Sequence, residues 1–314
     1  MSPSKNSWIK WIGILLAIIP FIWIYRRLDF HTMLAILPKV SWWTIPVFFA
    51  GTFSSMAIQG TRWWILLNAF TKIPFFQVLS YHFISVYYSS IFPTSAGQEI
   101  LRTLFVLKKA GAAVSWGAAW ICKIASLMIS LLFSIYGLAS LSRLSLPRGL
   151  IIGILGLCFL IILLGVISFS KNFTGLIRRS ITSIIPKRIL ATIENIREGI
   201  YQYRNKRKEM ALVLSISFLI QLVMVLNSVG LILGITNRMC FWECLAFIPL
   251  IEIASMSVPL TPNGIGIREA LTALMFKYIG LSNEQLGVYI FIALSANLFR
   301  LVGLVPIFSM KKDA

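Results

Sequence analysis

The chain has 314 residues, 58% of them hydrophobic, with a mean hydropathy of +0.85, 12% charged residues and a formal net charge of +19. A soluble domain carries about 45 to 50% apolar and about 25% charged residues, so this composition excludes an ordinary soluble protein, and its apolar content excludes a disordered one. The basic excess points to anionic lipid headgroups and away from nucleic acid.

A hydrocarbon core of about 30 Å takes about 20 apolar residues as a helix. Residues 8–25 supply the first such run. They follow Lys5 and precede Arg26 and Arg27 without a small-residue cleavage site, which predicts an uncleaved anchor. A second span is predicted at 42–67. The next apolar stretch, 76–107, breaks at PTSAG, residues 93–97. Spans at 114–139 and 149–169 lead to a basic segment, 171–209. A span at 210–235 follows, then a second interrupted stretch, 240–279, which breaks at PLTPNGIG, residues 259–266, and a last span at 285–308.

Proline and glycine at the two breaks remove helix hydrogen bonds that lipid cannot replace, so the broken backbone must face protein or a wet cavity. Pro93 and Gly97 mark one turn, and Pro262, Asn263, Gly264 and Gly266 the other. The expected architecture is an all-α integral membrane protein, one polytopic domain over 1–314. It has about six full spans and two re-entrant helical hairpins, at about 76–109 and 240–280. With the N-terminus inside, this topology puts 17 Lys and Arg on the cytoplasmic side and 7 outside, as the positive-inside rule asks. Both termini are then cytoplasmic and the location is the inner or plasma membrane. The hairpins open to opposite sides, the pattern of an inverted-repeat transporter with its site near the midplane.

Within the basic segment, Ile189, Ile193, Ile196, Ile200 and Tyr203 recur at helical spacing, with Arg197, Arg204 and Lys206 to Lys208 around them. This predicts an amphipathic helix against anionic inner-leaflet lipids.

Asp29 and Asp313 are the only aspartates, and His31 and His82 the only histidines. The cysteines at 122, 158, 240 and 244 form neither a disulfide framework nor a zinc spacing. No cofactor, metal or catalytic residue is therefore assigned. The telling groups are charges in membrane segments, which are costly and mark sites or pathways: Glu99, Arg102, Lys123, Glu252, Arg268, Glu269 and Arg300. Arg102 and Arg268 sit just after the two breaks, where free backbone N–H groups and an arginine fork suit a phosphate. Glu99, Glu252 and Glu269 could steady the arginines, meet a cationic group or carry a coupling proton. Arg62 is expected to snorkel to the interface.

FPTSAGQEILRTLFVLKKAG (92–111) and VPLTPNGIGIREALTALMFKYIG (258–280) resemble the signature stretches of the flippase-like membrane family that includes the transmembrane domain of lysylphosphatidylglycerol synthases. TRWWILL and the basic segment before residue 210 fit the same layout, and the likeness covers nearly the whole chain. Asn263 stands where glycine is common, and Cys122-Lys123 where many relatives show an acid followed by Arg. The resemblance implies translocation of a phospholipid or isoprenoid-linked lipid between leaflets. No aminoacyl-transferase domain follows in this chain, so the synthase activity is not carried over. A membrane-embedded transferase or hydrolase with Glu269 or Glu99 as base is the competing expectation, with an accessory subunit of a lipid-synthesis enzyme as a third. A homo-oligomer is left open.

Overall fold

A computed structural model of the chain describes residues 37–89, 96–141, 187–257 and 266–306, together with 153, 156, 159 and 163. The expected anchor at 8–25, most of the expected span at 149–169, residues 171–186 and the tips of both expected hairpins lie outside the described residues. So do the turn residues Pro93, Pro262, Asn263 and Gly264.

Every regular element among the described residues is helical. In chain order they are α1 (Thr44–Asn68), α2 (Phe75–Ser89), α3 (Ala96–Ala110), α4 (Ala112–Ser140), α5 (Lys187–Tyr203), α6 (Arg207–Thr236), α7 (Phe241–Ser257), α8 (Ile267–Phe276) and α9 (Asn283–Ser295). Short 3-10 segments cover Leu37–Lys39, Lys277–Ile279 and Ala296–Gly303. Among the described residues, three helices are long and apolar enough to cross a membrane: Ala112–Ser140, Arg207–Thr236 and the continuous Asn283–Pro306. At 1.5 Å per residue the 25 residues of α1 also reach about 37 Å, though Arg62 and several hydroxyls make it more polar. In contrast α2 and α3, 15 residues each, reach only about 22 Å.

Local chemistry sets the boundaries. Gly111, with φ of 77°, ends α3 and starts α4; no atom lies within 4 Å of where its Cβ would sit, so the positive φ, not crowding, asks for glycine. Asn237 closes α6 in the left-handed region at φ 55°, its N–H donating to the Leu233 carbonyl. Ser282 opens α9 with a capping box shared with Gln285. Pro249 lies inside α7, where it removes one backbone hydrogen bond.

α1 and α6 form the centre, packed antiparallel. The Ser41 N–H donates to the Gly234 carbonyl at 3.1 Å, Asn227 reaches the Phe48 carbonyl at 3.0 Å, and Arg62 reaches Ser217 at 2.8 Å, so one helix climbs as the other descends. Around this pair the packing repeats. Where α1 packs on α2, α6 packs on α7; where α2 packs on α3, α7 packs on α8; where α3 packs on α4, α8 packs on α9. Likewise α4 lies on α6 and α7, as Ala296–Gly303 lies on α1 and α2. The same correspondence is written in the sequence: Pro93 and Pro259, Arg102 and Arg268, and Gly137 and Gly303 each stand 166 positions apart. Both glycines of the last pair mark close backbone approaches. A Cβ at Gly137 would collide with the Ala246 backbone nitrogen, and one at Gly303 with the Phe83 carbonyl oxygen.

Two apolar cores are centred one in each half, although Phe48 of α1 and Phe133 of α4 join the second and Tyr203 and Val213 join the first. Trp63, Leu66, Leu67, Val78, Val106 and Ile121 build one, and Val225, Val229, Phe247, Phe276, Val288 and Ile292 build the other. The amphipathic helix expected in the basic segment is present as α5, but the C-terminal end of its apolar face meets protein. Gly199 lies against Gly117 of α4, Ile200 and Tyr203 are buried, and the Tyr203 hydroxyl donates to the Leu66 carbonyl at 2.9 Å.

Candidate functional site

A cavity of about 240 Å³ opens beside the α1–α6 crossing, where the second core meets α2 and α3. Apolar walls come from Phe48, Ile248, Ile251 and Ile290, with Val86 of α2 closing one side. Its polar lining is dense for a helical bundle this apolar: Thr52, Ser55 and Gln59 of α1, Gln98 of α3, Asn227 and Ser228 of α6, Thr272 of α8, Tyr289 of α9 and Asn297. Four charged side chains complete it, Glu252 from α7, Arg268 and Glu269 from α8, and Arg300 from the last 3-10 segment.

The neutral groups are held in place by the frame. Asn227 donates from Nδ2 to the Phe48 carbonyl at 3.0 Å and to the Thr52 hydroxyl at 3.1 Å, which locks its amide across the helix crossing. Tyr289 donates to the Ser228 hydroxyl at 3.1 Å, joining α9 to α6. Asn297 donates to the Leu294 carbonyl at 3.0 Å.

The adjacent pair Arg268 and Glu269 divides its labour, as their different directions on a helix require. Glu269 turns back and its Oε2 accepts the N–H of Gly266 at 2.5 Å, capping the first turn of α8. Gly266 has φ of 89°, a conformation that glycine alone adopts easily. Arg268 lines the cavity within electrostatic reach of Glu252, and Arg300 feels both Arg268 and Glu269. Two arginines and two carboxyl groups therefore line one cavity among apolar helices, where a lowered dielectric strengthens each of their interactions with a guest.

Of the residues expected at the site, the structure gathers Arg268, Glu269, Glu252 and Arg300 into the cavity. Lys123 of α4 is half-buried outside the lining and within electrostatic reach of Glu252. Arg102 and Glu99 pair with each other as an ion pair three residues apart on α3, away from the cavity wall. Arg102 is 1% exposed and its guanidinium lies over the Trp63 ring, 5.4 Å from the centroid. Gly97 is buried at the start of the same helix.

Arg62 departs from the snorkelling expected of it. It is buried, and its Nη1 donates to Ser126 of α4 at 2.7 Å and Ser217 of α6 at 2.8 Å, tying three helices together. Sequence reasoning also passed over Gln59, Asn227, Asn297 and Tyr289. The signal was there: carboxamides inside otherwise apolar helices are as unusual as charges and need partners of their own.

Among the described residues no group of three or more His, Cys, Asp or Glu could hold a metal ion. Residues 10–304 match the family described as the Lysylphosphatidylglycerol synthase TM region. No curated protein and no solved structure matches the chain.

Proposed function

The chain belongs to the family of the Lysylphosphatidylglycerol synthase TM region, and from that premise we propose that it moves a polar-headed, phosphate-bearing lipid between the two leaflets of a membrane. The observation that carries this reading is the cavity: Arg268 and Arg300 beside Glu252 and Glu269, enclosed by helices apolar enough to stand in lipid. Arg268 takes the phosphate by its guanidinium fork, Arg300 adds a second positive charge, and the carboxylates and amides meet the remaining polar atoms of the headgroup. The acyl or isoprenoid tails stay in the bilayer, so only the headgroup has to leave water.

The short helices α2 with α3, and α7 with α8, are each too brief to cross about 30 Å of hydrocarbon alone. In this reading they are the two re-entrant hairpins of a protein with about six full spans and cytoplasmic ends, set in the inner or plasma membrane. Antiparallel α1 and α6 and the repeated packing around them support alternating access about a central site. The exposed basic residues on and just after α5, Arg197 on the helix, Arg204 in the turn that follows and Lys208 at the start of α6, then lie toward anionic inner-leaflet headgroups. No bond to the lipid is made or broken, and Glu269, already holding the Gly266 N–H, is poorly placed to serve as a general base. Reconstitution in liposomes with headgroup-labelled lipids, comparing the native protein with Arg268→Ala, tests the proposal.

A further inference from the structure

Arg102 and Arg268 occupy corresponding places in the two halves, yet their surroundings differ sharply. Arg268 faces the cavity. Arg102 is sealed, paired with Glu99 and laid over Trp63. The sealed group is not electrically complete. Arg62 and Arg102 lie within reach of each other and share Glu99, while Glu252, the other carboxylate in reach of Arg62, is shared with Arg268 and Lys123. The Nε of Arg62, the Nε of Arg102 and the indole Nε1 of Trp63 are all buried without a hydrogen-bond partner. A surplus cation with several unused donors in a membrane interior is costly unless an anion comes to it.

We infer that the Arg102 group is a second binding site for the same phosphate-bearing headgroup, filled when the first hairpin opens and the second closes. The inference rests on the proposed lipid-translocating role of the cavity. In the companion conformation the halves exchange roles: Arg102 faces the cavity and offers its fork to the phosphate, and Arg268 withdraws toward its own glutamates. Gln98, one residue before Glu99, already lines the present cavity from α3, so the two sites share a wall. The headgroup passes from one arginine to the other without crossing bare hydrocarbon. Glu99 is the resident counter-ion that the phosphate displaces, which keeps the empty site closed and neutralises Arg102 between visits.

Trp63 gives a direct reporter, because Arg102 covers its ring. The full chain is labelled with 5-fluorotryptophan, its Trp63 resonance is assigned with Trp63→Phe, and the sample is titrated in detergent with dihexanoylphosphatidylglycerol. A parallel arm uses inorganic phosphate, and calorimetry follows total lipid binding. The expected result is a calorimetric isotherm weakened by Arg268→Gln, together with a Trp63 resonance that moves or splits as lipid is added. Arg102→Gln should weaken that spectral response by about tenfold or more. A Trp63 response to lipid but not to phosphate at equal concentration assigns the site to the lipid headgroup; a response to both assigns it to the phosphate group itself, free or esterified. Lipid binding that depends on Arg268 while Trp63 stays unmoved at saturation overturns the second site and leaves the cavity standing. Absence of any binding overturns both. The native-protein titration needs no substitution, so a misfolded Arg102 variant does not shield the inference.

Discussion

The Nη1 of Arg62 donates to the Ser217 hydroxyl at 2.8 Å, across 155 positions of sequence, and to Ser126 at 2.7 Å. This buried guanidinium pins α1 to both α4 and α6, below the cavity that the same crossing helps to form. A hydrogen bond to a charged group contributes about 1.5 to 3 kcal/mol. Ser217→Ala and Ser126→Ala should each destabilise the protein by about that much, and together by more than either alone. Thermal unfolding in detergent checks this; two silent substitutions would show that Arg62 is held by something else.

The repeat makes a paired prediction. Gly137→Ala and Gly303→Ala each force a methyl group against the backbone of a neighbouring helix, and overpacking of this kind costs about 1 to 3 kcal/mol. Both should lower the unfolding temperature to a similar extent. Gly230 has no atom within 4 Å of the place a Cβ would take, so Gly230→Ala should be neutral, or stabilising by up to about 1 kcal/mol through helix propensity.

Glu269 has two duties that substitution can separate. Glu269→Gln keeps an oxygen for the Gly266 N–H while removing a charge from the cavity wall. Its stability should stay within about 0.5 kcal/mol of the native protein, with lipid exchange altered. Glu269→Ala loses the cap as well and should cost about 1 kcal/mol more. Unfolding midpoints and exchange rates measured on the same preparations distinguish charge from cap.

Much of this arrangement is legible in the residues. The glycine at 111, the break before Gly266 and the capping Ser282 mark helix ends by rules that act over a few positions. Arg268, Glu269, Glu252 and Arg300 stand out because a charge in an apolar helix must find a partner, and all four meet in one cavity. Arg62 escaped because its partners lie 64 and 155 positions away, and only packing brings them near. Asn227, Asn297 and Gln59 escaped because they carry no charge, although a buried carboxamide has a comparable obligation to find partners. The separation of Arg102 from the cavity was beyond reach: its pairing with Glu99 follows from spacing on one helix, but whether that helix turns toward the cavity or toward Trp63 is decided by how it packs on α2 and α4. α5 shows the same limit, since an apolar face alone does not tell lipid from the small-residue surface of α4 at Gly117.

Leaflet exchange tests lipid movement most directly. The purified protein is reconstituted in liposomes containing headgroup-labelled phospholipids or a labelled isoprenoid phosphate, and the fraction of label open to an impermeant quencher is followed with time. The expected result is protein-dependent exchange of at least one phosphate-bearing lipid, reduced about tenfold or more in folded Arg268→Ala, the loss that follows when a charged hydrogen-bonding partner is removed from a buried site. Exchange at the native rate in that variant, or none for any lipid in the panel, would contradict the proposed role of the cavity.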